Sequence, residues 1–239
     1  MQRLPWATLV PGSFETDLVH HCGPVASGEY VHTLQLVDVA TGWSERAAVL
    51  GRSQAVMVDG FRRVQARLPF AITQLHPDNG SEFFNDHLIR YFGEEVVGLK
   101  LSRSRPYQKN DNRFVEQKNA TLVRAYLGYG RLDTLRQCDA VNALYDQLWV
   151  YYNLFQPVLH QVEKTVVAGK LSRRWDTAQT PYQRLRASGV LTTEQAARLA
   201  ALYQHTNPRQ LRDAIYQAVA RLPHAQEPHQ LRKETVQLR

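Results

Sequence analysis

The sequence predicts an α/β fold with a mixed sheet flanked by helices, on three observations. Short β-type segments follow one another between Phe14 and Leu50 and are joined by tight turns. At Ser53 the apolar spacing changes to a helical period, then returns to a strand-like stretch at Phe70. Two long stretches of helical spacing come after, near Asp111 and near Asp133. Period 2 giving way to period 3.6 and back is the signature of sheet and helices layered together.

Each element has its own signal. Phe14 to His20 is short and partly alternating, and lies between Pro11-Gly12 and Gly23-Pro24. Val31 to Val39 is a stronger strand and ends at Ala40-Thr41-Gly42-Trp43, where Asp38 is placed to cap the turn. Glu45 to Leu50, closed by Gly51, completes an antiparallel meander. Ser53 is an N-cap for a helix with Val56, Gly60/Phe61, Val64 and Leu68 on one stripe, and Pro69 stops it. Phe70 to Leu75 reads as a fourth strand running into the turn His76-Pro77-Asp78-Asn79-Gly80. A short helix over Phe83 to Phe92 and a short fifth strand at Leu99-Lys100-Leu101 come next. The polar loop 102–110 then leads into a helix with Val115, Leu122 and Tyr126 on its apolar stripe. A second helix covers roughly 133–153. Past Pro157 the texture turns polar and irregular over 160–182. Helices are then predicted from Thr192-Thr193-Glu194-Gln195 and from Asn207-Pro208. A boundary near 158 divides a domain over 12–157 from a helical, basic C-terminal extension over 158–239.

Composition narrows the function classes. Of the 239 residues 44% are hydrophobic and 21% charged, an ordinary globular balance. Cys22 and Cys138 lie far apart, which argues against a disulfide framework and for a reducing compartment. No apolar run approaches the roughly 18 residues of a membrane span, and Met1 to Trp6 holds no signal core. A cytoplasmic protein with no membrane partner is the expectation. Residues 1–100 carry a net charge of −3 and residues 101–239 a net of +10. A basic half suits a polyanion such as nucleic acid, and equally a solvated basic surface.

Three carboxylates stand out. Asp17 lies inside a predicted strand, where aspartate is depleted. Asp78 sits at the mouth of the fourth strand, and Glu116 in the first turns of the long helix. Asn112, Glu116 and Asn119 share one polar face of that helix by their i, i+4, i+7 spacing. Taken singly, each acid has an ordinary reading as a strand-end acid, a turn residue or a solvated helix residue. Together they form an oxygen-rich set of the kind that holds Mg²⁺ or Mn²⁺.

Three stretches carry a family resemblance: Glu15-Thr16-Asp17-Leu18-Val19, His76-Pro77-Asp78-Asn79-Gly80-Ser81-Glu82-Phe83, and Pro106-Tyr107-Gln108-Lys109-Asn110-Asp111-Asn112 through Val115-Glu116-Gln117-Lys118-Asn119. They resemble the catalytic core of DDE-type integrases and transposases, the retroviral-integrase superfamily with its bacterial insertion-sequence relatives. The resemblance covers about residues 12–157, with 37 residues between Asp78 and Glu116. It implies an RNase H-like five-stranded mixed sheet. It also implies a catalytic triad of Asp17, Asp78 and Glu116 holding two Mg²⁺ or Mn²⁺ ions, and cleavage and strand transfer of DNA by a homo-oligomer on DNA ends. Two features depart from the pattern. Family members usually carry a helix-turn-helix or zinc-binding segment before the core, and Arg113 stands where a small or neutral residue is usual. His20-His21-Cys22 has no CxxC partner and is assigned no zinc. A non-catalytic DNA-binding remnant and a plain RNase H-like nuclease are the competing readings.

If Glu116 faces metals, its neighbours face phosphate. Lys109, Arg113, Lys118 and Asn119, with Arg103 and Arg105 in the preceding loop, are therefore the expected DNA-contacting residues. Residues 160–239 hold a net charge of +7, and the resemblance gives this segment a role in contacting DNA or partner subunits.

Overall fold

The computed structural model of the chain describes residues 10–77, 90–93, 98–102, 112–167 and 170–222. Its first three strands are β1 (Ser13–His20), β2 (Val31–Asp38) and β3 (Ser44–Leu50). They form the predicted meander, with Asp17 opposite Gln35 and Gln35 opposite Arg46. The turn from β2 to β3 closes on Asp38. Its carboxylate accepts the Thr41 amide at 2.8 Å, the Thr41 hydroxyl at 2.6 Å and the Gly12 amide at 2.8 Å. Gly42 takes φ 74°, a left-handed value that suits glycine.

Helix α1 (Gln54–Arg67) begins on Ser53, whose hydroxyl accepts from the Val56 amide. The chain then crosses to β4 (Gln74–Pro77), which lies parallel to β1, and to β5 (Lys100–Leu101), parallel to β4. The sheet order is β3-β2-β1-β4-β5, antiparallel in one half and parallel in the other. This is the RNase H-like arrangement. The fourth strand sits later than its apolar residues predict. Phe70 and Ile72 are buried in the core as non-strand chain, and pairing begins at Gln74. Of the predicted 83–92 helix, residues 83–89 lie outside the described residues and 90–93 are helical.

The two faces of the sheet bury different things. Phe14, Leu18, Leu34, Leu36, Trp43 and Ala47 pack against Met57, Phe61 and Val64 of α1. Gly60 permits the close approach, because a Cβ there would meet Val49 Cγ1 at 3.0 Å. The opposite face is covered by α2 (Arg113–Lys118), a π-helical turn (Asn119–Arg124), α3 (Ala125–Leu127), α4 (Leu135–Val150) and a second π-helical turn (Tyr151–Phe155). From α4, Val141, Leu144, Tyr145 and Leu148 pack on Val31 and Ala48. The second helix is thus the predicted one, begun by a Thr134–Gln137 capping box.

β3 is an edge strand, and α4 with its π-helical extension closes it. Asn142 bonds both backbone groups of Ala48 at 2.9 Å, and Asn153 bonds those of Ser44 at 2.9 and 3.0 Å. Arg67 donates to the Arg46 carbonyl between them. Side chains thus take the place of a neighbouring strand, which otherwise would leave an open template.

The C-terminal segment is not wholly helical. A hairpin of β6 (Gln161–Val167) and β7 (Lys170–Trp175) occupies the stretch read as irregular. Of its apolar residues, Val162, Val166 and Trp175 are exposed, so these do not mark it in the sequence as a buried strand. Helices α5 (Pro181–Ser188), α6 (Thr193–His205) and α7 (Pro208–Arg221) complete the described chain. The last two carry the predicted Thr192 and Asn207 caps. Tyr182, Leu185 and Leu199 join the core with Phe14, and Ile215 and Leu222 join that with Tyr145. Among the described residues no helix is long and apolar enough to cross a membrane, and both cysteines are free.

Two outcomes test this packing. Asn153→Ala should cost about 1–3 kcal/mol by orphaning both Ser44 backbone groups, read by urea unfolding; an unchanged midpoint would remove it from the edge. His32, its ring tilted against that of Tyr30 with centroids 4.5 Å apart, is held down to about 4 by burial and then by His20 and Arg52. The unfolded chain therefore takes up this proton first, and the stability that neutral His32 supplies is complete above about 6.5 and lost as pH falls towards 4. His32→Gln should gain on the wild type across that window, by at most about 1.4 kcal/mol per pH unit. A pH-independent difference between the two would contradict this.

Candidate active site

β1 turns Glu15 and Asp17 to the face that α2 covers, two residues apart and so on one side of the strand. Glu15 is fully buried. Its Oε2 accepts the amides of Phe114 at 2.7 Å and Val115 at 3.0 Å, in the first turn of α2. Asn112, at the N-cap position, makes no side-chain cap bond. Glu15 therefore caps the helix from another strand, and the helix dipole favours its charge. Burial nonetheless dominates. It pushes the Glu15 carboxyl up to about 7, against the two amides and Arg113, with Glu116 adding to the rise.

From this tie the helix runs along β1. Asn119 donates to Asp17 Oδ2 at 2.6 Å, and farther on Arg124 donates to the His20 carbonyl at 2.7 Å. Asp17 is half-buried, and its Oδ1 accepts the Leu18 amide at 2.8 Å. Glu116 is exposed, one turn before Asn119 on the same helical face. The π-helical turn begins at Asn119 itself, and such turns recur at functional sites.

The site residues predicted from sequence fare differently. Asn119 is engaged on Asp17, and Glu116 lies exposed one turn earlier on the same helix. Asp78, Arg103, Arg105 and Lys109 lie outside the described residues. β4 ends at Pro77, which pairs with Thr16 in parallel register. Arg113 lies over the Phe114 ring with its guanidinium carbon 4.3 Å from the centroid. Lys118 rests its ammonium over the Tyr152 ring at 5.1 Å, and burial first, then Arg46, holds it down to about 8. Among the described residues no three His, Cys, Asp or Glu side chains gather as a metal group. Asp17 and Glu116 offer oxygen donors only, and Asn119 Oδ1 is buried without a hydrogen-bond partner. Such a set suits a hard divalent cation.

Sequence reasoning missed Glu15, although a second acid two residues before Asp17 in a strand was a visible signal. It also missed a polar row across the sheet. Gln35 lies between Asp17 and Arg46, donates to Ser44 Oγ at 2.6 Å, and has no partner for its buried Oε1. Arg46 is 1% exposed, and none of its three guanidinium nitrogens has a hydrogen-bond partner. It lies over the Tyr145 ring at 5.5 Å.

Strand order, strand directions and the helix laid along β1 define an RNase H-like α/β protein with carboxylates at the β1–α2 junction. No family model matches the chain. Over 179 residues it is 36% identical to the uncharacterized protein y4rM of Sinorhizobium fredii (strain NBRC 101917 / NGR234), covering 75% of this chain and 51% of that protein. The chain thus spans about half the length of this curated relative. It is similar in structure to the catalytic core domain of BIV integrase, with a TM-score of 0.47 and 16% identity over 74% of this chain and 95% of that one. A chain of the simian T-cell lymphotropic virus intasome, solved in complex with PP2A regulatory subunit B56 gamma, matches at a TM-score of 0.48. Its identity is 14%, over 75% of this chain and 70% of that one.

Glu15→Ala should lower stability by about 1–3 kcal/mol, because two helix-start amides lose their acceptor. Exchange at the Phe114 and Val115 amides should accelerate with it. Glu15→Gln keeps an acceptor and should restore most of the loss. Equal protection of both amides in Glu15→Ala and wild type would refute the cap.

Proposed function

We propose that the chain is a DNA transposase or integrase, a polynucleotidyl transferase that cleaves phosphodiesters and transfers strands. The observation that carries this reading is the hydrogen bond from Asn119 to Asp17. It ties the strand bearing one acid to the helix bearing Glu116, while β4 brings Pro77, the residue before Asp78, opposite Thr16.

In this reading Asp17, Asp78 and Glu116 are the catalytic acids. The two Mg²⁺ or Mn²⁺ ions they would hold supply activation of the attacking oxygen and stabilisation of the leaving one. Asn119 holds Asp17 in one rotamer, and Glu15 fixes the helix against β1. The attacking group is water or a DNA 3′-hydroxyl, in line with the bond that breaks, and no carboxylate becomes covalently attached. Residues 12–157 serve as the catalytic core. The basic segment from 158 onward contacts DNA or further copies of the chain. Arg103, Arg105, Lys109 and Arg113 neutralise phosphates and position the strand without reading bases. Binding to DNA accordingly weakens as salt rises.

Asp17→Asn keeps the side chain's size and removes its charge. Mn²⁺-dependent nicking of short duplexes should fall about a thousandfold or more, the equivalent of several kcal/mol, while DNA affinity persists. Glu116→Gln should do the same. The measurement pairs a nicking assay with a melting curve on one preparation. A destabilised but fully active Asp17→Asn enzyme would take Asp17 out of the site.

A further inference from the structure

Behind α2, on the side away from Asp17, a cleft of about 530 Å³ opens between the helix and the C-terminal hairpin. Its walls include Lys118, Tyr126, Tyr151, Tyr152 and Trp175. A smaller cavity of about 200 Å³ continues it past Phe114 and Arg113, sharing Lys118 and Trp175. Neither is lined by a carboxylate among the described residues. Trp175 is 49% exposed, an indole held at the rim.

The second observation is Arg46. Its guanidinium lies wholly inside the protein with no hydrogen-bond partner, and its charge reaches Lys118, Tyr126 and Tyr152, three residues of the cleft wall. An arginine cannot shed its proton to escape burial; Tyr145 and the Glu45 carboxylate offset its charge through space without a hydrogen bond, and a buried cation so poorly satisfied is costly. The cost falls if an anion occupies the cleft whose wall residues Lys118, Tyr126 and Tyr152 feel that charge. The volume lies within the roughly 300–1,000 Å³ of sites for small ligands. Four aromatic rings around a cation suit an anion that carries its own flat ring: a base stacks on tyrosine or tryptophan while its phosphate meets the cation.

We propose that this cleft binds one unpaired nucleotide of a DNA strand, its phosphate at Lys118 and its base against the tyrosines and Trp175. The inference rests on DNA being the substrate, but not on the acids being catalytic. A paired base hides its faces in the stack, so the cleft selects single-stranded DNA next to the reacting site.

The test uses the full chain without metal and follows tryptophan emission, with Trp175→Phe identifying the responding residue. The probes are a ten-nucleotide oligothymidylate, its duplex with oligoadenylate, and a polyglutamate peptide. Oligothymidylate should quench Trp175 and bind at least about tenfold more tightly than the other two. Lys118→Gln should weaken it about tenfold. Arg46→Met should weaken it too, and should melt higher than wild type without DNA because a buried charge is gone. Binding unchanged in Lys118→Gln, or duplex or polyglutamate binding as tight as oligothymidylate, overturns the proposal. So does an Arg46→Met protein that melts lower and binds oligothymidylate as wild type does. Mn²⁺-dependent nicking is scored separately. Oligothymidylate bound in the cleft of a protein that never nicks DNA would sink the catalytic reading alone. Nicking by a protein whose cleft variants bind normally would sink this one alone.

Discussion

The arrangement of the site depends on one contact, the Glu15 carboxylate on the first turn of α2. A helix start presents amides with no partner of their own, and here a strand residue supplies the acceptor. That contact fixes where the helix begins along β1. The helical rise of about 1.5 Å per residue then sets which side chains meet the strand. Asn119 arrives at Asp17, and Arg124 at the His20 carbonyl. Glu116 is carried along on the face of Asn119. The apolar contacts of Val115, Leu122 and Val123 hold the helix to the sheet without fixing its register, because apolar contact is not directional.

The sheet underneath is divided by chemistry. One face is mainly aliphatic and aromatic and packs on α1, with buried Glu45 pairing to Arg67 at the end of that helix at 3.2 Å. The other carries Glu15, Asp17, Thr33, Gln35, Ser44 and Arg46 beneath α2 and α4. A polar interior layer of this kind stabilises less than apolar packing would, since each group must find a partner or lose free energy. Thr33 finds Tyr145 at 2.6 Å and His21 at 2.8 Å, and Gln35 finds Ser44. Arg46, Gln35 Oε1 and Asn119 Oδ1 do not. Gln35 lies beside Asp17 and Asn119 bonds to that carboxylate, so two of these unsatisfied groups adjoin the strand acid.

Much of this was legible in the sequence wherever a local rule decided it. Ser53, Thr192 and Asn207 start helices as caps because their side chains satisfy nearby amides. Asp38 closes its turn for the same reason. Asp17 stood out because a strand seldom carries an aspartate. The hidden features depended on distant partners. Glu15 caps a helix about a hundred residues away, which no window of local sequence contains. β4 begins at Gln74 because pairing with β1 decides it, while the apolar run at Phe70 and Ile72 serves the core without pairing. The hairpin of β6 and β7 leaves Val162 and Val166 exposed, so its apolar residues gave no sign of a strand by burial. Arg46 stands in a short predicted strand with no local signal of burial, and only the covering helices make it interior.

The placement of charge around Asp17 has its own logic. A lysine or arginine on that carboxylate would neutralise it and compete with any cation brought to the site. The chain puts a neutral amide there instead. Asn119 orients Asp17 through a hydrogen bond, and among the described residues no ion pair compensates its charge. Meanwhile Arg113 is turned onto Phe114 and Lys118 onto Tyr152, both against aromatic rings and not against Asp17. One short helix thereby separates two environments. Its Asn119 side faces a carboxylate left available to a cation, and its Lys118 side carries positive charge to a cleft of aromatic rings. A phosphodiester strand needs both, a cation-loaded carboxylate at the bond that reacts and a positive aromatic surface for the nucleotides beside it.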